Sequence, residues 1–138
     1  MSADDELLTL LRAVTNLNVY DGYVDVDETA KVIAVDLPYV VFYAGLGDDI
    51  DERPNGGRSG GTAIPFQTTY VGGTREQARW TGVKARAALS RKRITINGKE
   101  SGLIRLEAAA TIRRDDDYTR PGGGPLFFGV DQYEVGSN

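Results

Sequence analysis

Residues 66–78 read Phe66-Gln67-Thr68-Thr69-Tyr70-Val71-Gly72-Gly73-Thr74-Arg75-Glu76-Gln77-Ala78, a strand, a break and a helix start in one short run. Residues 64–71 alternate in the manner of a half-buried strand, and Gly72-Gly73 interrupts that pattern. Thr74-Arg75-Glu76-Gln77 then has the form of a capping box. The Thr74 hydroxyl is placed to accept from a first-turn amide, and Gln77 is placed to reach back. A helix over residues 74–89 follows. Ala78, Gly82, Ala85 and Leu89 recur at three- and four-residue spacing, a smooth face that lets the helix lie close on a sheet. Trp80, Val83 and Ala87 form an adjoining apolar edge.

Working outward from this junction, residues 4–14 read as an amphipathic helix. Leu7, Leu8, Leu11 and Val14 share one face, and Asp4, Asp5 and Glu6 suit the positive end of the helix dipole. Val19 to Val24 and Tyr39-Val40-Val41-Phe42-Tyr43-Ala44 are strand-forming runs; the second is the most hydrophobic in the chain and is expected at the centre of the core. Between it and the next strand lie residues 45–62, crowded with Gly, Asp and Arg, which read as a long loop. Loops of that length in compact domains tend to be functional or disordered.

Beyond the second helix the period becomes two. Arg93-Ile94-Thr95-Ile96, the turn Asn97-Gly98 and the run 103–112 predict a hairpin, because Asn and Gly tolerate positive φ. A breaker-rich connection containing Asp115-Asp116-Asp117 leads to a last strand over 126–135. The expectation is α+β: a single domain over residues 1–138, mainly antiparallel, with an N-terminal helix and a second helix packed on one sheet.

Composition excludes much chemistry. The 138 residues contain neither cysteine nor histidine. Disulfides, thiolate nucleophiles and the commonest near-neutral general base and transition-metal ligand are therefore absent. No segment approaches the roughly 18 apolar residues of a membrane span, and the first residues lack the zones of a signal peptide, so a soluble chain without membrane partners is expected.

Charge is distributed in blocks. Residues 1–52 carry two basic and twelve acidic side chains, a balance of −10; residues 53–114 carry thirteen and three, or +10; residues 115–138 carry one and five, or −4. Such blocks can attract one another within a fold or across a subunit boundary.

Each tempting motif has a plainer reading. Gly56-Gly57-Arg58-Ser59-Gly60-Gly61-Thr62 lacks the lysine and following helix of a phosphate-binding loop. The acidic runs 48–52 and 115–117 lack calcium-loop spacing, so no metal and no cofactor is expected. No lysine or serine sits in a hydrolytic motif, and an enzyme is not expected. The basic residues of and after the second helix could contact nucleic acid, yet no recognition motif accompanies them.

The segments Phe66 to Gly72, Thr74 to Ala78, Arg93 to Gly98, the Arg114-Asp115-Asp116-Asp117 corner, and the closing Phe127-Phe128 and Asp131-Gln132-Tyr133-Glu134-Val135 together resemble the tail terminator family of long-tailed bacteriophages, which includes minor tail and tail-completion proteins. The resemblance implies helices on a mainly antiparallel sheet and a hexameric ring, located in the virion neck and assembled in the host cytoplasm. That ring would cap the head-proximal end of the tail tube and stop its polymerisation. Its partners would be other copies of itself, the tail tube protein and the head-tail connector protein, with DNA passing through. The family has no catalytic residues to carry over.

Two site expectations follow from the charge pattern. Arg75, Arg79, Arg86, Arg91, Lys92 and Arg93 are expected at a subunit interface, facing Asp115, Asp116 and Asp117 of a neighbour. Asp48, Asp49, Asp51, Glu52, Arg53 and Arg58 in the long loop are expected to contact the tube or connector. The competing roles are a connector or tail-tube subunit and, in a different class, a nucleic-acid-binding module.

Overall fold

The computed structural model describes residues 3–44, 63–96 and 98–136. Helix α1 spans Ala3–Arg12 and buries Leu7, Leu8 and Leu11. Val14 lies past its end, yet still packs against the same core. Two strands follow at the sheet, β1 (Asn18–Asp21) and β4 (Tyr39–Ala44), and between them a short hairpin, β2 (Val26–Asp27) with β3 (Val32–Ile33). Strand β5 (Ala63–Gly72) runs into helix α2 (Arg75–Leu89). After it come a second small hairpin, β6 (Thr95–Ile96) with β7 (Lys99–Glu100), then β8 (Arg105–Ala109), β9 (Arg113–Arg114) and β10 (Phe127–Gly136).

The main sheet has the order β1-β4-β5-β10-β8, with β9 also paired to β10. Only β1 and β4 are parallel; every other pair in it is antiparallel. The fold is thus α+β, as expected, and Tyr39–Phe42 of β4 are buried on both faces of the sheet.

Alternation along the strands splits the core into two layers. Val40, Phe42, Phe66, Tyr70, Tyr133 and Val135 point toward the two helices and meet Leu7, Leu11, Ala85 and Leu89 there. Tyr39, Val41 and Val71 point the other way, onto Ile33 and Leu126, with Tyr118 and Phe128 packed against them. The Phe66 and Tyr133 rings stack at 5.1 Å in the first layer.

The predicted helix start is present with one change of partner. Thr74 Oγ1 accepts from Gln77 N at 3.0 Å, and Gln77 Oε1 accepts from Gly73 N at 2.7 Å, one residue before the cap. Gly82 lies so close to Tyr70 that a Cβ there would sit 2.7 Å from a ring carbon, and Gly129 of β10 crowds the same ring. Tyr70 therefore fills a slot between helix and sheet that two glycines keep open.

The expected hairpin is corrected. Gly98 has the positive φ such a turn needs, and Asn97 lies outside the described residues, but the returning strand is Lys99–Glu100 rather than 103–112. The cause is Ser101, which is buried. Its amide donates to Ile94 O, while its hydroxyl accepts from Ile94 N and donates to Gly102 O. Ile104 N then donates to Lys92 O, which folds residues 91–104 back on themselves. That frees Arg105–Ala109 to pair with the long edge of β10.

Candidate functional site

Arg75, Arg79 and Arg86 recur along one flank of α2, the side facing β10. The Arg75 guanidinium carbon lies 5.6 Å from the Phe127 ring centroid, and Arg79 is exposed. Arg86 is engaged within the chain. Its Nε and Nη2 donate to Asp131 Oδ2 and Oδ1 at 3.1 and 2.9 Å, and the Asp131 side chain is fully buried while that of Arg86 is 40% exposed. The hydrogen bond to Asp131 raises the Arg86 pKa, with the carboxylate charge adding to it and burial opposing it. Tyr133 Oη also donates to Asp131 Oδ2, at 3.3 Å. Burial and then the Asp131 charge hold the phenols of both Tyr133 and Tyr70 above their ordinary value.

At the other end of α2, Lys92 Nζ donates to Ala87 O at 3.1 Å and Arg93 Nη1 to Ser101 O at 2.9 Å, while Arg91 is exposed with φ 64°. The predicted basic cluster is therefore divided. Arg86, Lys92 and Arg93 hold the fold together, whereas Arg75, Arg79 and Arg91 present charge outward. One further arginine, Arg114, joins Arg75 in space, while Arg113 stands on the opposite face of the sheet. β9 places Arg114 opposite Phe127 and Arg113 opposite Phe128, with the Arg113 guanidinium 5.5 Å from the Phe128 ring.

Asp115 caps the turn after β9, its Oδ1 accepting from Asp117 N at 2.8 Å and Tyr118 N at 3.2 Å; Asp116 and Asp117 are exposed. Asp48, Asp49, Asp51, Glu52, Arg53 and Arg58 lie outside the described residues.

Asp131 was not singled out by sequence reasoning, although a signal existed. It shares the inward face of β10 with Tyr133 and Val135, and a carboxylate at such a position requires a cationic partner. Arg113 and Arg114 were missed because a two-residue strand has no periodicity to read.

A shallow groove of about 500 Å³ opens where the sheet is left uncovered, lined by Tyr43, Pro65, Gln67, Glu107, Gln132 and Glu134 among others. Its two carboxylates face Arg105, which contacts Glu134 at 3.1 Å and Glu107 at 3.7 Å. The arrangement neutralises charge and presents no nucleophile beside a base. Among the described residues, no three acidic side chains gather as a metal site. No helix of the described residues is long and apolar enough to cross a membrane.

No protein-family model matches this chain, and no curated protein matches it in sequence. Among solved structures, it is similar in fold to a chain of the virion of a native gene transfer agent particle. The TM-score is 0.59 at 14% identity, over 99% of this chain and 96% of that one.

Proposed function

We propose that the protein is a structural component of a phage-like virion, a non-enzymatic tail terminator that forms a ring at the head-proximal end of the tail. The observation that carries this reading is the fold likeness to a virion chain across 99% of the sequence, with neither chain left substantially unmatched. The tail-terminator resemblance of residues 66–135 supports the same assignment. A ring requires one surface of each subunit to meet a different surface of the next. The exposed cations Arg75 and Arg79 of α2, with Arg91 just past its end, supply one such surface. In this role the partners are further copies, the tail tube and the head connector, and residues 45–62 make the tube or connector contact.

Negative-stain images of the purified protein test the role. Discrete closed rings are expected. Lengthening stacks would assign the chain to the tail tube instead, and salt-sensitive retardation of DNA in a gel, without rings, would assign it to nucleic-acid binding.

A further inference from the structure

The β1 edge of the sheet and the β9 part of the opposite edge present side chains of opposite charge. β1 forms one edge and α1 packs beside it, so Asp4, Asp21 and Asp25 collect there. Asp21 and Asp25 are exposed, and Tyr23 between them is 72% exposed. Arg12 lines the same hollow as Asp21 and Asp25, so one cation stands there among several carboxylates; burial, and then the charges of Asp21 and Asp5, hold the Asp4 carboxyl above its ordinary range.

The other edge is shared by β8, where Arg105 is balanced by Glu107 and Glu134, and β9, which with the neighbouring flank of α2 presents arginines. Arg75 and Arg79 follow one flank of α2, and Arg114 of β9 stands across from Phe127, whose ring Arg75 covers. Among the described residues the ion pairs are Lys31–Glu28, Arg86–Asp131, Arg105–Glu107 and Arg105–Glu134, and none of them takes up Arg75, Arg79 or Arg114. Val83, one turn after Arg79 and 56% exposed, adds an apolar patch beside these charges. Arg75, the first residue of α2, also stands at the positive end of its dipole, where a cation is disfavoured until an anionic partner arrives.

Four strand spacings separate β1 from β9, roughly 19 Å, so these charges cannot neutralise each other inside one subunit. They can do so between subunits. We infer that the cationic α2–β9 edge of one copy docks on the acidic β1–α1 edge of the next, with Tyr23 entering the apolar patch beside Arg79. Asp115, Asp116 and Asp117 follow β9 directly and so stand beside these arginines in the same copy, and in this seam the acidic partner is the β1–α1 edge. The contact is heterologous and repeats head to tail, which is the geometry a ring needs. The inference rests on the ring proposed above, but it assigns the seam and not the closure.

Exchanging the charges separates the two. An acidic-edge variant, Asp21→Lys/Asp25→Lys, and a cationic-edge variant, Arg79→Glu/Arg114→Glu, alter exposed residues, and thermal melts show whether each still folds. In native mass spectrometry at low salt, each variant alone should lose assembly by roughly tenfold or more, since like charges then face each other. An equal mixture should assemble again, because every contact in an alternating array is once more complementary. The mixture can close only with an even number of subunits, alternating one to one. Rescue in the mixture establishes the seam, and open chains in both the wild type and the mixture would keep the seam while removing the ring. Rings from either variant alone, equal to wild type, would overturn the seam and leave the ring standing. Wild type that stays monomeric would overturn both, and a mixture that stays apart would overturn the seam.

Discussion

Arg86 and Asp131, 45 residues apart in the chain, are joined by two parallel hydrogen bonds that fasten the last turn of α2 to the middle of β10. Asp131 is fully buried, so its charge is tolerated only while the guanidinium is there. Replacing Arg86 by Met should cost about 2 kcal/mol in urea unfolding, below the 3 to 5 typical of wholly buried pairs because Arg86 is 40% exposed. Adding Asp131→Asn to that variant should recover part of the loss, since the orphaned charge is removed. A double variant less stable than Arg86→Met would show that the pair is not what holds Asp131 in place.

Tyr70 supplies a second test, of packing. An alanine in place of a mid-helix glycine normally gains about 1 kcal/mol through helix propensity. At Gly82 the sign should reverse to a net loss of about 1 to 2 kcal/mol, because the added methyl would meet the Tyr70 ring. Gly129→Ala should lose at least as much. Combining Gly82→Ala with Tyr70→Val should cost less than the sum of the single losses, as expected for residues sharing one space. Strict additivity in denaturant melts would mean that the ring does not fill the slot.

These two contacts also mark how far the sequence could be read. The junction at residues 71–78 was legible because glycine, threonine and glutamine each have a local role there, and the α2 face followed from the spacing of Ala78, Gly82, Ala85 and Leu89. The pairing of β8 with β10 was not legible. Strand partners are chosen by tertiary packing, and the Asn97-Gly98 turn is compatible with a two-residue hairpin as well as a longer one. The cationic residues were identified by type, but their division into Arg86, Lys92 and Arg93, which hydrogen-bond inside the chain, and Arg75 and Arg79, which do not, depends on where Asp131, Ser101 and the Ala87 carbonyl arrive. The opposite charge of the β1 edge and the β9 part of the other edge depends on strand order, which charge counting along the chain cannot supply.

Alkaline pH should weaken the fold through its buried phenols. Burial foremost raises the pKa of both Tyr39 and Tyr133 above the ordinary 10.0. The folded state then keeps protons that the unfolded chain releases. The stability they contribute is complete below pH 10, and it falls as pH rises from there toward the folded values, by about 1.4 kcal/mol per pH unit for each group. Urea midpoints measured from pH 8 to pH 11 should decline beyond pH 10, and Tyr39→Phe should make the decline shallower. A midpoint that stays level through pH 11 would contradict the placement of these rings.

Residues 45–62 connect β4 to β5, and the two strands pair with each other in register from Tyr39 opposite Val71 to Ala44 opposite Phe66. The connection is therefore specified by the strands on either side of it. Deleting residues 55–61 leaves eleven residues to span neighbouring antiparallel strands, and the shorter loop lowers the closure entropy by only about 0.4 kcal/mol. The melting temperature should move by a few degrees at most. If this segment is the surface that meets the tube or connector, the variant should form rings of normal mass while tails assembled with it run past their proper length or fail to join heads. Tails of normal length, joined to heads at the normal frequency, would remove residues 55–61 from that contact and return it to the ordered faces of the ring.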